Sequence, residues 1–209
     1  MQFKTKRLVI RKLKKSDIDG FYDMQSNPNV MKHIKKYMNR NESELELQRF
    51  INYYTDKDIF FNIWAVEKTD TNDFIGICGV YENAKSEFEI AYRLREKYWK
   101  KGFGIEIAKG LINHCFEKER LSEIYAYVRV ENSGSINILE KEMKFVTEFY
   151  CENAKSYERI YHLKKENWLQ QCINAIKYDN QQTVFKGTYH SQFASIRWMQ
   201  KTSQRAHIR

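Results

Sequence analysis

The spacing of apolar residues switches along this chain between every second position and every third or fourth, and this switch is the strongest constraint on its fold. Three consecutive segments with alternating or continuous apolar residues predict strands at residues 60–67, 74–81 and 88–94. The polar segment 69–73 (TDTND) separates the first two and predicts a hairpin turn. Residues 105–119 then have helical spacing, and residues 123–130 alternate again.

A strand, a helix and a second strand in this order predict a parallel pair with a right-handed crossover, whereas the hairpin is antiparallel. The remaining strands are predicted at residues 7–13, 145–151 and 157–163, with two or three helices between residues 16 and 54 and one at 135–141. The order is therefore β, helices, β-hairpin, β, helix, β, helix, β, β. We predict a mixed α/β (α+β) domain with a sheet of about seven strands.

Length and composition limit the class of protein. The chain has 209 residues, of which 42% are hydrophobic and 15% aromatic, enough for one packed domain with at most an appendage. No apolar segment reaches the roughly 18–20 residues of a membrane span. The first residues, MQFKTKRLVIRK, lack the apolar core of a secretory signal. We therefore expect a cytoplasmic protein with no membrane partner.

Cysteine and histidine spacing gives no indication of a metal site. No C-x-x-C pair occurs, so neither a zinc ribbon nor a dithiol redox motif is predicted. We expect no metal and reduced thiols. The cysteines are Cys78, Cys115, Cys151 and Cys172.

Charge is unevenly distributed along the chain. Residues 1–40 contain 11 basic and 3 acidic residues, a net charge of +8, whereas residues 41–90 contain 4 and 11, a net charge of −7. The basic ends favour a polyanionic partner such as RNA, and the acidic block favours a cationic substrate. The alternative is a charged surface with no specific partner.

The segment from Tyr98 to Gly110 (YWKKGFGIEIAKG) follows a predicted strand and begins a predicted helix. Glycines at 102 and 104 allow the backbone to bend closely around a ligand. The first N–H groups of the helix have no intrahelical partner, so the segment is suited to bind a pyrophosphate, with Lys100 and Lys101 adding charge. The sequence has no P-loop, and Ile107 occupies the third glycine position of G-x-G-x-x-G. An ordinary tight turn is the alternative.

The order of elements, this G-x-G and the segment NSGSINILEK after the next strand together resemble the GNAT superfamily of N-acetyltransferases. The segments TKRLVIRKLKKSD and NPNVMKHI resemble its RimJ/RimL-like branch, which acetylates ribosomal-protein N-termini. The resemblance covers about residues 3–165. It implies a mixed, mostly antiparallel sheet with a splayed central parallel pair, and acetyl-CoA as cosubstrate.

The resemblance also implies positions for the coenzyme. The family's pyrophosphate loop, Q/R-x-x-G-x-G/A, falls on Trp99–Gly104, with Trp99 in place of Gln or Arg and Lys100 where another glycine is common. Main-chain groups near Leu94 and Arg95 would pair with the pantetheine arm. Asn132 and Ser135 match the N-x-x-S motif near the thioester. The implied coenzyme-binding residues are Leu94, Arg95, Lys100, Lys101, Gly102, Phe103, Gly104, Ile105 and Asn132.

Under this resemblance the reaction is direct acetyl transfer to a primary amine, which is protonated at neutral pH and must lose a proton. Glu89, on the strand phase opposite Phe88 and Ile90, is the candidate base. The alternative is a solvated carboxylate paired with a lysine. Ser135 would protonate the leaving thiolate, and it would also serve as a helix N-cap.

Competing nucleophiles are not supported by the pattern. Cys78 lies inside a strand and Cys115 on the apolar face of a helix, which indicates core thiols. His114 is interpreted as a surface or boundary residue. Tyrosines such as Tyr127 could line an amine pocket or act as the acid.

Residues 166–209 lie beyond the resemblance and are predicted to form a helix, around residues 168–178, and a basic tail. The helix would pack on the domain of residues 1–165 or on a second subunit, which allows a homodimer. The tail combines basic and aromatic residues, which suggests RNA or an acidic partner. Two functions remain open: an acetyltransferase acting on a protein N-terminus or a small amine, and a non-catalytic module that binds CoA, RNA or the ribosome.

Overall fold

The computed structural model describes residues 1–183, which contain one eight-stranded sheet and six α-helices. The strands are β1 Phe3–Lys4, β2 Leu8–Lys12, β3 Phe61–Lys68, β4 Phe74–Glu82, β5 Phe88–Leu94, β6 Glu123–Arg129, β7 Lys144–Cys151 and β8 Ser156–Lys164. The helices are α1 Ile18–Gln25, α2 Pro28–Met31, α3 Arg40–Asn52, α4 Phe103–Glu117, α5 Ser133–Glu142 and α6 Lys165–Thr183.

The sheet has the strand order β1-β2-β3-β4-β5-β6-β8-β7. Every neighbouring pair is antiparallel except β5 and β6, which are parallel and paired at Glu89 and Tyr125. The predicted mixed, mostly antiparallel sheet with one parallel pair is confirmed. The described sheet has one strand more than predicted, because β1 spans only two residues and is too short to produce an alternating pattern.

The helix starts follow from local capping. The Asn27 side chain accepts hydrogen bonds from the first turn of α2, and Pro28 occupies its first position. The last of the helices predicted between residues 16 and 54 begins at Arg40, where Asn39 and Glu42 form a reciprocal capping box.

Asp17 lies directly before α1 but does not cap it. Its side chain makes no cap hydrogen bond to that helix. It is buried and forms a double hydrogen bond with the Arg11 guanidinium, at 2.8 Å for each N–O pair. A planar guanidinium matches a carboxylate in this way, so the pair fixes the start of α1 against β2.

Helices cover both faces of the sheet. On one face, α1 and α3 pack Phe21, Met24, Leu47 and Phe50 against β3 and β4. On the other, α4 buries the predicted apolar stripe that includes Leu111 and Cys115. Alternate residues of β5 therefore face two different layers.

His114 is a correction to the sequence analysis. The structure buries it, with 5% of its surface exposed, and its ring stacks on Phe3 and meets Trp64 edge-on. Its Nε2 lies 3.1 Å from Glu119 Oε1. The two aromatic rings and one carboxylate accommodate this histidine on an otherwise apolar helix face, and its Nδ1 is buried without a hydrogen-bond partner among the described residues.

By their contacts, the residues of the chain divide into a unit at Met1–Lys165 and a second that begins at Glu166. In the second unit, α6 extends over 19 residues. Within residues 1–183, no helix is both long and apolar enough to cross a membrane. The predicted basic and aromatic tail beyond Thr183 lies outside the described residues.

Candidate active site

The central feature of the site is the gap between β5 and β6. The Arg95 N–H donates to the Ile75 carbonyl, and the antiparallel register pairs Gly76 with Leu94. Because hydrogen-bonding sides alternate along a strand, the N–H groups of Leu94 and Tyr92 face the β6 side. The strands β5 and β6 pair at one position, Glu89 with Tyr125, and they separate beyond it. This opening presents backbone donors to a ligand.

The loop from Trp99 to Gly104 lies beside this gap. Gly102 has φ +76°, a left-handed conformation that glycine adopts at little cost, and Lys100 also has positive φ, at 57°. A Cβ on Gly104 would lie 2.8 Å from Ile138 Cδ1, so α4 and α5 approach closely there because that residue is glycine. The loop thus directs the first N–H groups of α4 to the surface, where they suit an anion.

Side chains from the start of the chain hold this loop in place. Arg7 donates from Nη1 to the Lys101 carbonyl at 3.0 Å and from Nε to Glu106 Oε2 at 2.6 Å. Glu106 also accepts from the Thr5 hydroxyl at 2.6 Å, and the Arg7 guanidinium lies over the Phe103 ring. Sequence analysis missed this anchor of Thr5, Arg7 and Glu106, because its partners are about a hundred residues apart.

The predicted coenzyme-binding residues fall into two groups. Lys100, Lys101 and Gly102 are exposed on the loop, whereas the Phe103 side chain is buried and Ile105 is partly buried, so their available groups are backbone N–H. The Trp99 indole donates to the Leu94 carbonyl at 2.9 Å and ties the loop to β5.

Arg95 differs from the expectation. Its N–H is used by the β4–β5 ladder, and its carbonyl accepts from Tyr98 N. Its guanidinium pairs with Asp23 and with the Phe74 carbonyl. The structure therefore does not bring its main-chain N–H to the gap.

Asn132 and Ser135 lie at the start of α5, beside the gap. The Asn132 side chain caps the helix by accepting from Ser135 N at 3.2 Å. Ser135 was predicted as the cap, and this was wrong, since it lies inside the first turn. Its hydroxyl is close to that of Tyr92, where burial raises the pKa to about 12 and Ser135 partly opposes the shift. Two hydroxyl groups therefore lie near each other on the α5 side of β5.

Glu89 is a partly buried carboxylate on the opposite face of β5. It accepts from the Tyr81 hydroxyl at 2.6 Å and from Asn83 Nδ2 at 3.3 Å. Burial, with help from the charges of Glu158 and Glu87, raises its pKa, and the two hydrogen bonds only partly oppose this. The alternative of a solvated carboxylate paired with lysine does not hold, because no lysine forms an ion pair with Glu89 among residues 1–178.

A cavity of about 640 Å³ connects these groups. Glu89, Ala91 and Arg93 line it from one face of β5, and Tyr92 and Ser135 from the other. The β5–β6 gap therefore joins the two faces of the sheet, so that a base on one side and hydroxyl groups on the other open to the same space. Such a cavity is large enough for a small ligand.

The cavity also contains aromatic and acidic residues from neighbouring elements. Tyr127, named from the sequence as a possible pocket residue, lines it and donates a hydrogen bond to Glu87. The Lys85 ammonium lies 5.0 Å from the centre of the Tyr127 ring.

Neither core thiol is suited to nucleophilic chemistry. Cys78 and Cys115 are fully buried, and burial raises the pKa of both. In the part of the chain that the structure describes, no cluster of His, Cys, Asp or Glu has an arrangement that could hold a metal ion.

Comparison with known proteins identifies the family of this site. Residues 7–142 match the model of the acetyltransferase (GNAT) domain. The chain is 29% identical over 139 residues to the uncharacterized N-acetyltransferase p20 of Bacillus licheniformis, covering 65% of this chain and 77% of that protein. It is 28% identical over 142 residues to the uncharacterized N-acetyltransferase YnaD of Bacillus subtilis (strain 168), covering 68% of this chain and 81% of the relative.

Solved structures share the fold. A GNAT-family acetyltransferase from Bacillus anthracis superposes with a TM-score of 0.70 at 22% identity, covering 78% of this chain and 98% of that one. Spermidine N-acetyltransferase from Vibrio cholerae, in complex with CoA and spermine, gives a TM-score of 0.65 at 19% identity, covering 78% and 98%.

Proposed function

Since the chain belongs to the GNAT acetyltransferase family, and is thus an acetyl-CoA-dependent acetyltransferase, we propose that it acetylates a primary amine by direct attack assisted by Glu89. The observation that carries this proposal is the partly buried Glu89 carboxylate, which opens to the same cavity as Ser135 across the gap in the sheet. We also propose the RimJ/RimL-like branch, on the N-terminal segments that resemble it.

The coenzyme position is proposed from the backbone. Acetyl-CoA supplies an activated acetyl thioester when it is bound. The N–H groups at the start of α4, from Phe103 to Ile105, would hold its pyrophosphate together with Lys100 and Lys101. The fit is supported by Gly102 and Gly104, where side chains would strain or crowd the loop. The Leu94 and Tyr92 N–H groups would pair with the pantetheine amides.

Glu89 would accept a proton from the acceptor ammonium. An amine with a pKa near 8–10 is mostly charged at neutral pH, and it attacks a carbonyl carbon only as the free base. A carboxylate whose pKa is raised is a better match to this task than an ordinary one. The Tyr81 hydroxyl would hold the carboxylate in position.

Ser135 would stabilise or protonate the leaving thiolate, with Tyr92 as the second candidate for this role. Both hydroxyl groups lie on the face of β5 next to α5, opposite the carboxylate. Asn132 would position Ser135 through its helix cap. The proposed base and acid would then act on the reacting groups from opposite faces of one strand.

The proposed acceptor is a small amine rather than a protein N-terminus. The support is the cavity, which lies between the helical layers and contains carboxylates and aromatic rings that attract a cation. The spermidine N-acetyltransferase that shares this fold acts on such an amine.

The test is free thiol release from acetyl-CoA with a panel of amines and with Glu89→Gln. We expect kcat to decrease by roughly 10²–10⁴-fold, while the KM for acetyl-CoA stays within about threefold. Glu82→Gln is the matched control, because Glu82 is an exposed carboxylate on the neighbouring strand, and it should leave kcat unchanged. CoA binding by calorimetry without turnover on any amine would contradict the enzyme proposal and favour a binding module.

A further inference from the structure

Arg93 is a charged residue that the proposed mechanism does not use. It follows Glu89 by four residues on β5, so both lie on the same face of the strand. It lines the central cavity. Its Nη1 donates to Gln25 Oε1 and lies 3.2 Å from Met31 Sδ.

The Arg93 guanidinium is incompletely satisfied. Its Nε is buried and has no hydrogen-bond partner among the described residues. No carboxylate forms an ion pair with it in that part of the chain. Burial lowers its pKa to about 10, and the charge of Glu46 opposes the shift, so the group remains a cation at neutral pH.

A buried cation without a carboxylate partner destabilises a fold, since removing it from water is costly. The Nε edge of a guanidinium also has a geometry that matches a carboxylate with two parallel N–H···O bonds. Gln25, which is fully buried, holds the Nη1 side of the group, while the Nε donor has no partner among the described residues.

Charges of both signs line the cavity. Its other basic residues include Arg49, Lys85 and Arg129. On the face of β5 that carries Arg93, Glu89 lies near the charges of Glu158 and Glu87. Arg93 adds a positive charge on this face, and the Cα atoms of Glu89 and Arg93 are roughly 13 Å apart at about 3.3 Å per residue. A ligand that spans these two groups needs a cationic and an anionic end.

We propose that the acceptor is an amino carboxylate, whose carboxylate binds Arg93 while its amine faces Glu89. The inference rests on the proposed amine acetylation and names its substrate class. A polyamine satisfies Glu89 but offers nothing to Arg93. The separation of the two groups favours an amine and a carboxylate joined by several methylene groups over an α-amino acid.

The test compares acceptors that differ only in the anion. The probes are β-alanine, γ-aminobutyrate, δ-aminovalerate and ε-aminocaproate, each with its neutral carboxamide, and spermidine. We expect kcat/KM for the best carboxylate to exceed that of its carboxamide by about tenfold or more, as for a hydrogen-bonded charge pair. The difference should lie mainly in KM, because Arg93 binds the acceptor and does not touch the reacting atoms.

Arg93→Met should abolish this preference and leave turnover of the carboxamides within about threefold. Arg93→Lys keeps the charge but loses the planar guanidinium and its parallel N–H donors. This variant should retain part of the preference for carboxylates. Arg93→Met removes a charge that has no carboxylate partner in the described part of the chain, which is stabilising. It also leaves the buried Gln25 Oε1 without its donor, which is destabilising. Thermal unfolding should show that the variant is folded, with a melting temperature close to that of the unchanged protein. If Arg93 had only a structural role, its substitution would change kcat/KM for carboxylates and carboxamides by the same factor.

Calorimetry with CoA and ε-aminocaproate separates this inference from the proposed function. Binding that Arg93→Met abolishes, without turnover of any amine, would support the carboxylate site and contradict amine acetylation. Turnover of spermidine and carboxamides equal to or above that of every amino carboxylate would overturn the carboxylate site and leave acetylation intact. If neither binding nor turnover is detected, both proposals fail.

Discussion

Two glycine-to-alanine substitutions at the ends of the coenzyme site are expected to change stability in opposite directions. Gly102 precedes α4 with φ +76°. An alanine in the left-handed region costs roughly 1–2 kcal/mol, and the reduced freedom of the unfolded chain returns roughly 0.4–1 kcal/mol. Gly102→Ala should therefore lower the free energy of unfolding by about 1 kcal/mol. The nearest atom to the new Cβ, Arg7 Nη2 at 3.4 Å, adds little because that side chain can shift.

Gly134 provides the matched control. It lies in the first turn of α5, is exposed, and a Cβ there would meet only Asn132 Oδ1, at 3.8 Å. Alanine in a helix is favoured over glycine by roughly 0.5–1 kcal/mol, so Gly134→Ala should stabilise the protein. The two variants should differ by about 1.5–2 kcal/mol, or roughly 3–8 °C in melting temperature for a chain of this size.

Urea and thermal unfolding measure the stability difference, and thiol release measures function. Gly102→Ala should also raise the KM for acetyl-CoA by about tenfold, since it redirects the N–H groups of the loop, while the KM of the acceptor stays unchanged. A Gly102→Ala protein as stable as the unchanged chain would refute the assignment of strain to the left-handed conformation. An unchanged KM for acetyl-CoA would refute the role of the loop.

The remaining expectations concern titration, reactivity and the loop anchor. The pKa of Glu89 is raised above its usual value of 4.5. A pH–rate profile should therefore show kcat/KM decreasing on the acidic side, with a midpoint above 4.5, as the base becomes protonated. A carboxylate with a raised pKa stabilises the fold at low pH, and this stabilisation is lost as the pH rises through the pKa of the folded state. At pH 7 the ionised Glu89 therefore destabilises the fold, and Glu89→Gln should increase the free energy of unfolding. Cys78 and Cys115 should react with an aromatic disulfide reagent only after urea unfolding, because burial protects both and raises the pKa of each; rapid native labelling would contradict this. Arg7→Met should cost about 1 kcal/mol or less, given a half-exposed pair with Glu106, and raise the KM for acetyl-CoA severalfold.

The sheet was largely predictable because its signals are local. The strand at residues 88–94 was predicted with the observed bounds, since both faces of β5 impose a pattern with period two. The start of α4 was predicted at Ile105 but lies at Phe103, because Gly102 ends the preceding turn with a positive φ. A positive φ at a glycine is a property of the folded backbone, and the sequence indicates only that it is permitted.

Candidate site residues could be named from the sequence where a single segment contains the relevant pattern. The resemblance and the strand phase together made Glu89 a candidate base, whereas its burial, which raises its pKa, could not be predicted. Arg93 lies on the same phase four residues later, a signal that was present but not used. Arg7 and Glu106 meet across the fold, and a single sequence contains no information on which distant charges pair.

The separation of β5 from β6 leaves two strand edges inside one molecule. Exposed edges usually invite pairing with another chain and promote aggregation, and proteins protect them by charge, by proline or by burial. Here the two edges belong to neighbouring strands of one sheet, and the first turn of α4 lies against β5, since a Cβ on Gly104 would lie 3.9 Å from Tyr92 Cε2. A chain of amides and methylene groups that pairs with these edges would occupy the position where a strand of another molecule could otherwise be added. The same geometry that admits a ligand therefore protects the protein from its own edges.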